Sequence, residues 1–236
     1  MIRSILTGAA VLAMLGGASL AQERCDPWVP PAPIEPAKPA GPAKPADPAA
    51  PVAKPKPPQA EFWVIAGGTL GAEITLLGDS LTSPHFGQTV SALLGERQYK
   101  IYAIGGTSAQ MLSGLFETVT VPNDAVGIIW IGRNNNPADV KLVLKSIASA
   151  ASHIPSGKYL ILDVLTGRNA DEQPGGGRRV NTDALNEAIR AKYGDRVISV
   201  RPLVTCGDFS DYIHLFNSGQ DKIAKAVADQ IWTRRW

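Results

Sequence analysis

The run Val126-Gly127-Ile128-Ile129-Trp130-Ile131 is apolar at consecutive positions, with no polar residue to mark a solvent side. Its length and its β-branched and aromatic content suit a strand, and a strand apolar on both faces must be covered on both. That excludes a sheet with one wet face and asks for helices above and below. Counting from Ala125 to Ile131, this is one of five such runs; the others are Glu73 to Gly78, Tyr99 to Ile104, Lys158 to Leu165 and Arg196 to Val200. Helical patterns fall between and after them, predicted at Phe86 to Leu94, Ala109 to Glu117, Ala138 to His153, Thr182 to Tyr193 and Ser218 to Trp232. Strands and helices that alternate with short crossovers imply parallel strands, hence a three-layer α/β/α sandwich. In such a sheet, reactive groups collect where loops leave the carboxyl ends of the strands.

The part of the chain before these runs has a different character. Met1-Ile2-Arg3 gives a positive start, Ile5 to Leu20 is apolar apart from small and hydroxyl residues, and Ser19-Leu20-Ala21 is a small-x-small processing site. This is the pattern of a signal peptide over residues 1–21, so export is expected, with no stable membrane span after cleavage. Cys25 follows Gln22, Glu23 and Arg24, which do not suit lipid attachment. Residues 22–59 are rich in Pro, Ala and Lys and carry almost no large apolar residue after Ile34. Such a segment buries no core and reads as an extended spacer. Residues 60–236 remain as one folded domain.

The formal net charge of +2 argues for no particular partner, and no nucleic-acid partner is expected. Cys25 and Cys206 are the only cysteines and lack metal-ligand spacing. A bridge between them and an unpaired, buried Cys206 are both compatible with the sequence. Neither a metal nor a cofactor is expected, and the oligomeric state is left open.

Four short motifs sit at the predicted strand ends. The first strand ends in Gly78-Asp79-Ser80-Leu81, where a glycine permits a sharp turn that lifts the Ser80 hydroxyl above the sheet. Taken alone, this is equally a turn or helix cap. The second strand ends in Ile104-Gly105-Gly106-Thr107-Ser108, whose backbone N–H groups can face a developing oxyanion. The third ends in Gly132-Arg133-Asn134-Asn135-Asn136, where Asn134 offers a side-chain N–H and Asn136 suits a helix cap. Near the C-terminus, Asp211-Tyr212-Ile213-His214 places a carboxylate and an imidazole one turn apart. A serine hydroxyl is a weak nucleophile. It needs a base, here His214, and a carboxylate to fix that base's tautomer, here Asp211.

In order and placement these four blocks resemble those of the GDSL/SGNH hydrolase family. The resemblance implies a flavodoxin-like, five-stranded parallel sheet of order 2-1-3-4-5. It also implies Ser80 as nucleophile, Asp211 and His214 as its activating pair, and an oxyanion hole from Ser80 N–H, a block-two glycine and Asn134. Gly106 is the choice for that glycine, with Gly105 the alternative one residue away. Asn135 stands where many members carry aspartate, which leaves the local loop bonding open. Arg133 suits either a substrate anion or a structural ion pair, and no role is assigned to it. His85 and His153 are expected to be structural, and Gln173 to Arg179 to form a mobile loop at the active edge.

The resulting expectation is an exported, periplasmic or secreted serine esterase acting on a small-molecule or glycan ester, with acetyl esters of envelope or extracellular glycans preferred. An acyltransferase using the same triad, a lysophospholipase or arylesterase, and a silent cell-wall binding module are the alternatives. Gly67 to Gly71 is excluded as a phosphate cradle because it precedes a strand instead of opening a helix.

Overall fold

The computed structural model describes residues 70–236. The signal peptide, the linker, Cys25 and residues 60–69 lie outside them. The described chain runs β1 (Leu70–Gly78), α1 (Pro84–Leu93), β2 (Arg97–Ala103), α2 (Ala109–Phe116), β3 (Val126–Trp130) and α3 (Val140–Ser152). It continues with β4 (Tyr159–Leu162), α4 (Gly177–Tyr193), β5 (Val197–Ile198) and α5 (Asn217–Thr233). The five strands form one sheet of order β2-β1-β3-β4-β5, parallel throughout. Fold class and strand order are those expected.

Strand β3 explains the layering. Its side chains alternate between two separate cores, with Val126, Ile128 and Trp130 on one face and Ile129 on the other. The first core is closed by Phe86 and Val90 of α1 and by Ile223, Val227 and Ile231 of α5. The second is closed by Leu112 and Phe116 of α2, Val143 and Ile147 of α3, and Leu185 and Ile189 of α4. Every residue of β3 is buried. An apolar run of this kind is stable only between two helical layers, since each large aliphatic side chain left in water would forfeit about 1.5–3 kcal/mol.

Two element starts differ from the sequence expectation by three residues or more. Strand β1 starts at Leu70, and its register against β2 shifts between Leu70 and Ile74, so the alternation that marks a strand is broken there. Helix α4 starts at Gly177, within the stretch expected to be a mobile loop. Gly176 serves as its N-cap with extended backbone, Gly175 before it has φ +87, and Gln173 is buried. Glycine-rich sequence here makes a tight entry into a helix, and Arg178 and Arg179 belong to its first turn. Among the described residues no helix is long and apolar enough to cross a membrane. Cys206 is disulfide-bonded, and Cys25 is the sequence's other cysteine.

Between β5 and α5 the chain is tied down by Asp208, which is buried. Its carboxylate accepts hydrogen bonds from Thr205 N–H at 2.7 Å, Lys222 Nζ at 2.6 Å and Ser218 Oγ at 3.1 Å. Its own carbonyl accepts from Phe216 N–H at 2.8 Å. Burial opposes the charge, but these donors outweigh it and hold the Asp208 pKa down at about 2, against an ordinary 3.8. A depressed carboxylate stabilises the fold above the ordinary value and loses that contribution as pH falls through about 4 towards 2. Asp208→Asn is therefore expected to cost about 2 kcal/mol near neutrality, lowering Tm by roughly 4–8 °C. The gap should narrow steadily in melts from about pH 4 down to about pH 2; a gap independent of pH would show that the charge is not its source.

Candidate active site

The site is built on the carboxyl edge of the sheet, beginning where β1 stops. Gly78 leaves room for the turn: a Cβ there would lie 2.6 Å from Thr82 Cβ and 2.8 Å from the carbonyl oxygen of Trp130. Asp79 then folds the chain back on itself, its Oδ1 accepting Leu81 N–H at 3.1 Å and its carbonyl accepting Thr82 N–H at 3.0 Å. Capping of α1 falls to Ser83, whose hydroxyl accepts Phe86 N–H at 3.2 Å, with Pro84 opening the helix. Ser80 is thus spared both bland roles, turn former and cap, and stands half-buried at the apex.

The partner of Ser80 arrives from 134 residues away, with His214 Nε2 at 3.0 Å from Ser80 Oγ. The other ring nitrogen, Nδ1, is 2.7 Å from Asp211 Oδ2. Asp211 Oδ1 accepts the N–H groups of Ile213 at 2.6 Å and His214 at 2.7 Å, so one carboxylate both orients the ring and shapes its turn. Burial works against the Asp211 charge, but the bonds from the His214 ring and these two N–H groups hold its pKa below the ordinary value. An ionised Asp211 accepts the Nδ1 proton and leaves Nε2 as acceptor for the serine hydroxyl. The turn is closed by an antiparallel bridge between Phe209 and Leu215 and by Ser210 N–H donating to His214 carbonyl at 2.9 Å.

The other two blocks converge on the same point. Gly105 packs against Ser80: a Cβ on it would sit 3.6 Å from Ser80 Cβ. Gly106 follows with φ +71, a left-handed turn that a glycine adopts freely. Asn134 reaches in from the β3 loop, its Nδ2 lying 3.3 Å from Asp79 Oδ2 and 3.3 Å from Thr107 carbonyl. Asn135 accepts Ala109 N–H at 2.8 Å and donates to Gln110 Oε1 at 2.8 Å, so an amide at this position joins the β3 loop to the start of α2. Asn136 Oδ1 accepts Ala138 N–H at 3.1 Å and shapes the turn before α3.

Arg133 is buried and pairs with the equally buried Glu172 at 2.7 Å. Glu172, on the loop after β4, also takes an ion pair from Arg178 at 3.1 Å and the N–H of Gly167. Neither Glu172 nor Asp79 was singled out from the sequence. Asp79 lies inside the first motif, yet nothing in that motif reveals that its side chain reaches Asn134. Burial pushes its pKa up to about 6 despite the Leu81 N–H and the nearby charges of Arg133 and His214. The remaining histidines lie elsewhere: His85 pairs with Asp221 at 2.7 Å, and His153 caps α3. Among the described residues no group of three or more His, Cys, Asp or Glu is placed to hold a metal ion.

No family profile matches this chain and no curated protein matches it. Solved structures do. A member of the lipolytic protein G-D-S-L family from Veillonella parvula DSM 2008 aligns with a TM-score of 0.51 at 19% identity, covering 69% of this chain and 97% of that one. A protein described as an SGNH hydrolase from Slackia heliotrinireducens aligns with a TM-score of 0.52 at 15% identity, covering 69% and 100%. One described as an acylhydrolase from Bacteroides fragilis NCTC 9343 gives 0.52 at 15% identity, covering 69% and 87%. Residues 70–236 of this chain carry the α/β fold of the GDSL/SGNH hydrolases.

Proposed function

We propose that the protein is an exported serine esterase that hydrolyses carboxylic esters, acetyl esters of glycans foremost, through an acyl-Ser80 intermediate. The observation that carries the reading is the continuous chain from Ser80 Oγ to His214 at 3.0 Å and from His214 to Asp211 at 2.7 Å. In this reading Ser80 Oγ attacks the ester carbonyl carbon while His214 Nε2 takes its proton. The carbonyl π electrons move onto oxygen. That oxyanion is received by the N–H groups of Ser80 and Gly106 and by Asn134 Nδ2. Collapse of the intermediate breaks the bond to the alcohol oxygen, which leaves with the proton from His214. Water, deprotonated by the same ring, then releases the acid and restores Ser80.

Asp79 is a positioning residue in this scheme. Its Oδ2 holds Asn134 Nδ2 from inside the sheet edge, and the long 3.3 Å contact of Asn134 with Thr107 carbonyl is the one an oxyanion exchanges for a shorter, charge-assisted bond. Export is supported by the apolar start and processing site of residues 1–21 and by the disulfide at Cys206, since disulfides persist in oxidising compartments. Glycans are preferred over lipids because the cavity beside Asn134 is lined mostly by polar side chains.

Three variants test the scheme. Ser80→Ala is expected to abolish both p-nitrophenyl acetate turnover and labelling by a fluorophosphonate probe; labelling that survives would mean the nucleophile lies elsewhere. Asn134→Ala should lower kcat by roughly 10² to 10³ with an unchanged melting temperature, and near-normal kcat would reduce Asn134 to a turn residue. Asp79→Asn keeps the bond to Leu81 N–H but turns an NH2 towards Asn134 Nδ2. It should cost about 10-fold or more in kcat, short of the Asn134→Ala loss. Unaltered kcat in Asp79→Asn would show that Asn134 is held without it.

A further inference from the structure

A cavity of about 350 Å³ lies beside the proposed oxyanion amide, lined by Asn134 and Ile213 on the site's side and by Asn169, Asp171, Glu172, Arg178 and Arg133 on the other. It is contiguous with the chemistry, because Asn134 is the proposed oxyanion donor and Ile213 stands between Asp211 and His214. Its outer wall is the loop from β4 to α4. Arg168 N–H on that loop donates to Tyr212 carbonyl at 2.8 Å, which fixes the loop against the triad turn.

The wall is built around one buried post. Glu172 Oε1 accepts from Arg133 Nη2 at 2.7 Å and Asn169 Nδ2 at 3.4 Å and forms an ion pair with Arg178 Nε at 3.1 Å, while Oε2 accepts Gly167 N–H. It serves to hold its neighbours in place. Arg178 is further fixed by donating to the carbonyl of Arg133 at 3.1 Å. What the post presents to the cavity is a set of opposite hydrogen-bonding characters. Asp171 supplies a solvent-exposed carboxylate with no hydrogen bond or ion pair among the described residues, Asn169 supplies its amide oxygen, and Arg178 supplies the guanidinium edge that Glu172 leaves over.

The charges of this lining cancel, Arg133 and Arg178 against Asp171 and Glu172. A phosphate or carboxylate would meet Arg178 and Asp171 together and gain little. Among the described residues that line it, Ile213 is the only aliphatic neighbour for an acyl chain. Hydroxyl groups donate and accept at once, so a neutral polyol satisfies acceptors and donors that face the same space. The volume lies at the small end of the ~300–1,000 Å³ typical of small-molecule sites, which suits one ring and not an extended chain.

We propose that this cavity is the alcohol-side subsite, that it holds a single neutral pyranoside ring, and that Asp171, Asn169 and Arg178 recognise the ring hydroxyls adjacent to the esterified one. The inference rests on the serine esterase reading and adds the identity of the alcohol and the residues that select it. Asp171 determines specificity without touching Ser80, His214 or the oxyanion donors.

The test compares wild type, Asp171→Ala and Asp171→Asn on mono-O-acetylated methyl glucopyranoside, galactopyranoside and mannopyranoside and on p-nitrophenyl acetate. The wild type should prefer at least one glycoside. The ratio of kcat/KM for that glycoside to kcat/KM for p-nitrophenyl acetate should fall about tenfold in Asp171→Ala, mainly through KM, with partial rescue in Asp171→Asn. An unchanged ratio, or a wild type that prefers acetylated glycerol phosphate or a fatty-alcohol acetate to every glycoside, overturns the subsite. A wild type that hydrolyses no ester and takes no fluorophosphonate label overturns the esterase reading instead. Saturation-transfer NMR of the unacetylated methyl glycosides with the full chain then decides the subsite alone: a signal lost in Asp171→Ala supports it, and no signal in the wild type ends it.

Discussion

Everything at the proposed site depends on the sheet being parallel and buried on both faces. Because β1, β2, β3, β4 and β5 all point one way, every loop after a strand emerges at one edge, and residues 134 positions apart meet at hydrogen-bond distance. The energy for that meeting comes from elsewhere. Burial of β3 and its neighbours between α1 and α5 on one face and α2, α3 and α4 on the other fixes the strand ends. The polar side chains at the edge are carried into place and need only modest bonds of their own. Were the face under α1 left open to water, α5 would lose the core that anchors it, and α5 follows the Asp211–His214 turn.

Buried carboxylates then join the loops, and their differing surroundings give them different characters. Asp208 gathers a lysine, two hydroxyls and a backbone N–H, and these donors overcome its burial. Asp163, at the end of β4, accepts Val200 N–H at 2.9 Å and Arg190 Nη1 at 2.9 Å, yet burial still lifts its pKa above the ordinary value. Asp79 has no cation in direct contact, only Leu81 N–H and the Asn134 amide, and its pKa rises to about 6. The weakly compensated carboxylate is the one beside the proposed nucleophile. A charge there, unshared by a tight ion pair, keeps its hydrogen-bonding capacity for the amide that faces the oxyanion.

The fold was legible because its signal is periodic and local. Apolar runs such as Ala125 to Ile131 name the central strand, and their alternation with helical patterns leaves few topologies open. Ser80, Asn134 and the Asp211–His214 pair stood out because each sits in a short motif on a loop that follows a strand; the structure joins Ser80, His214 and Asp211 and sets Asn134 against Asp79 beside them. The boundary misses have physical causes. At the start of β1 a register shift breaks the period-2 pattern. At α4, Gly175-Gly176-Gly177 suggests loop, whereas tight packing of Gly176 against the backbone of Asp171 makes it a cap. Glu172 was illegible for a deeper reason. It is one of two adjacent acids in a single short turn, and only tertiary contact with Arg133 and Arg178 distinguishes it from any exposed glutamate.

That contrast separates two kinds of polar residue at one sheet edge. Groups proposed for the chemistry lie in turns of three or four residues whose backbone is locked by their own side chains, as Asp79 locks Leu81 and Asp211 locks Ile213 and His214. The cavity wall lies on a longer loop whose internal bond, Gly167 N–H to Glu172, is braced from outside by Arg133, a residue of the third motif. Arg133 thus ties the oxyanion loop to the cavity wall through a pair that is almost fully buried, and breaking such a pair strands a charge away from water. Wall and oxyanion loop therefore keep a fixed relation to each other. A ring seated against Asp171 and Arg178 would then present its esterified oxygen at a set distance from Asn134 and Ser80, so that selection of the alcohol and alignment of the carbonyl become a single event.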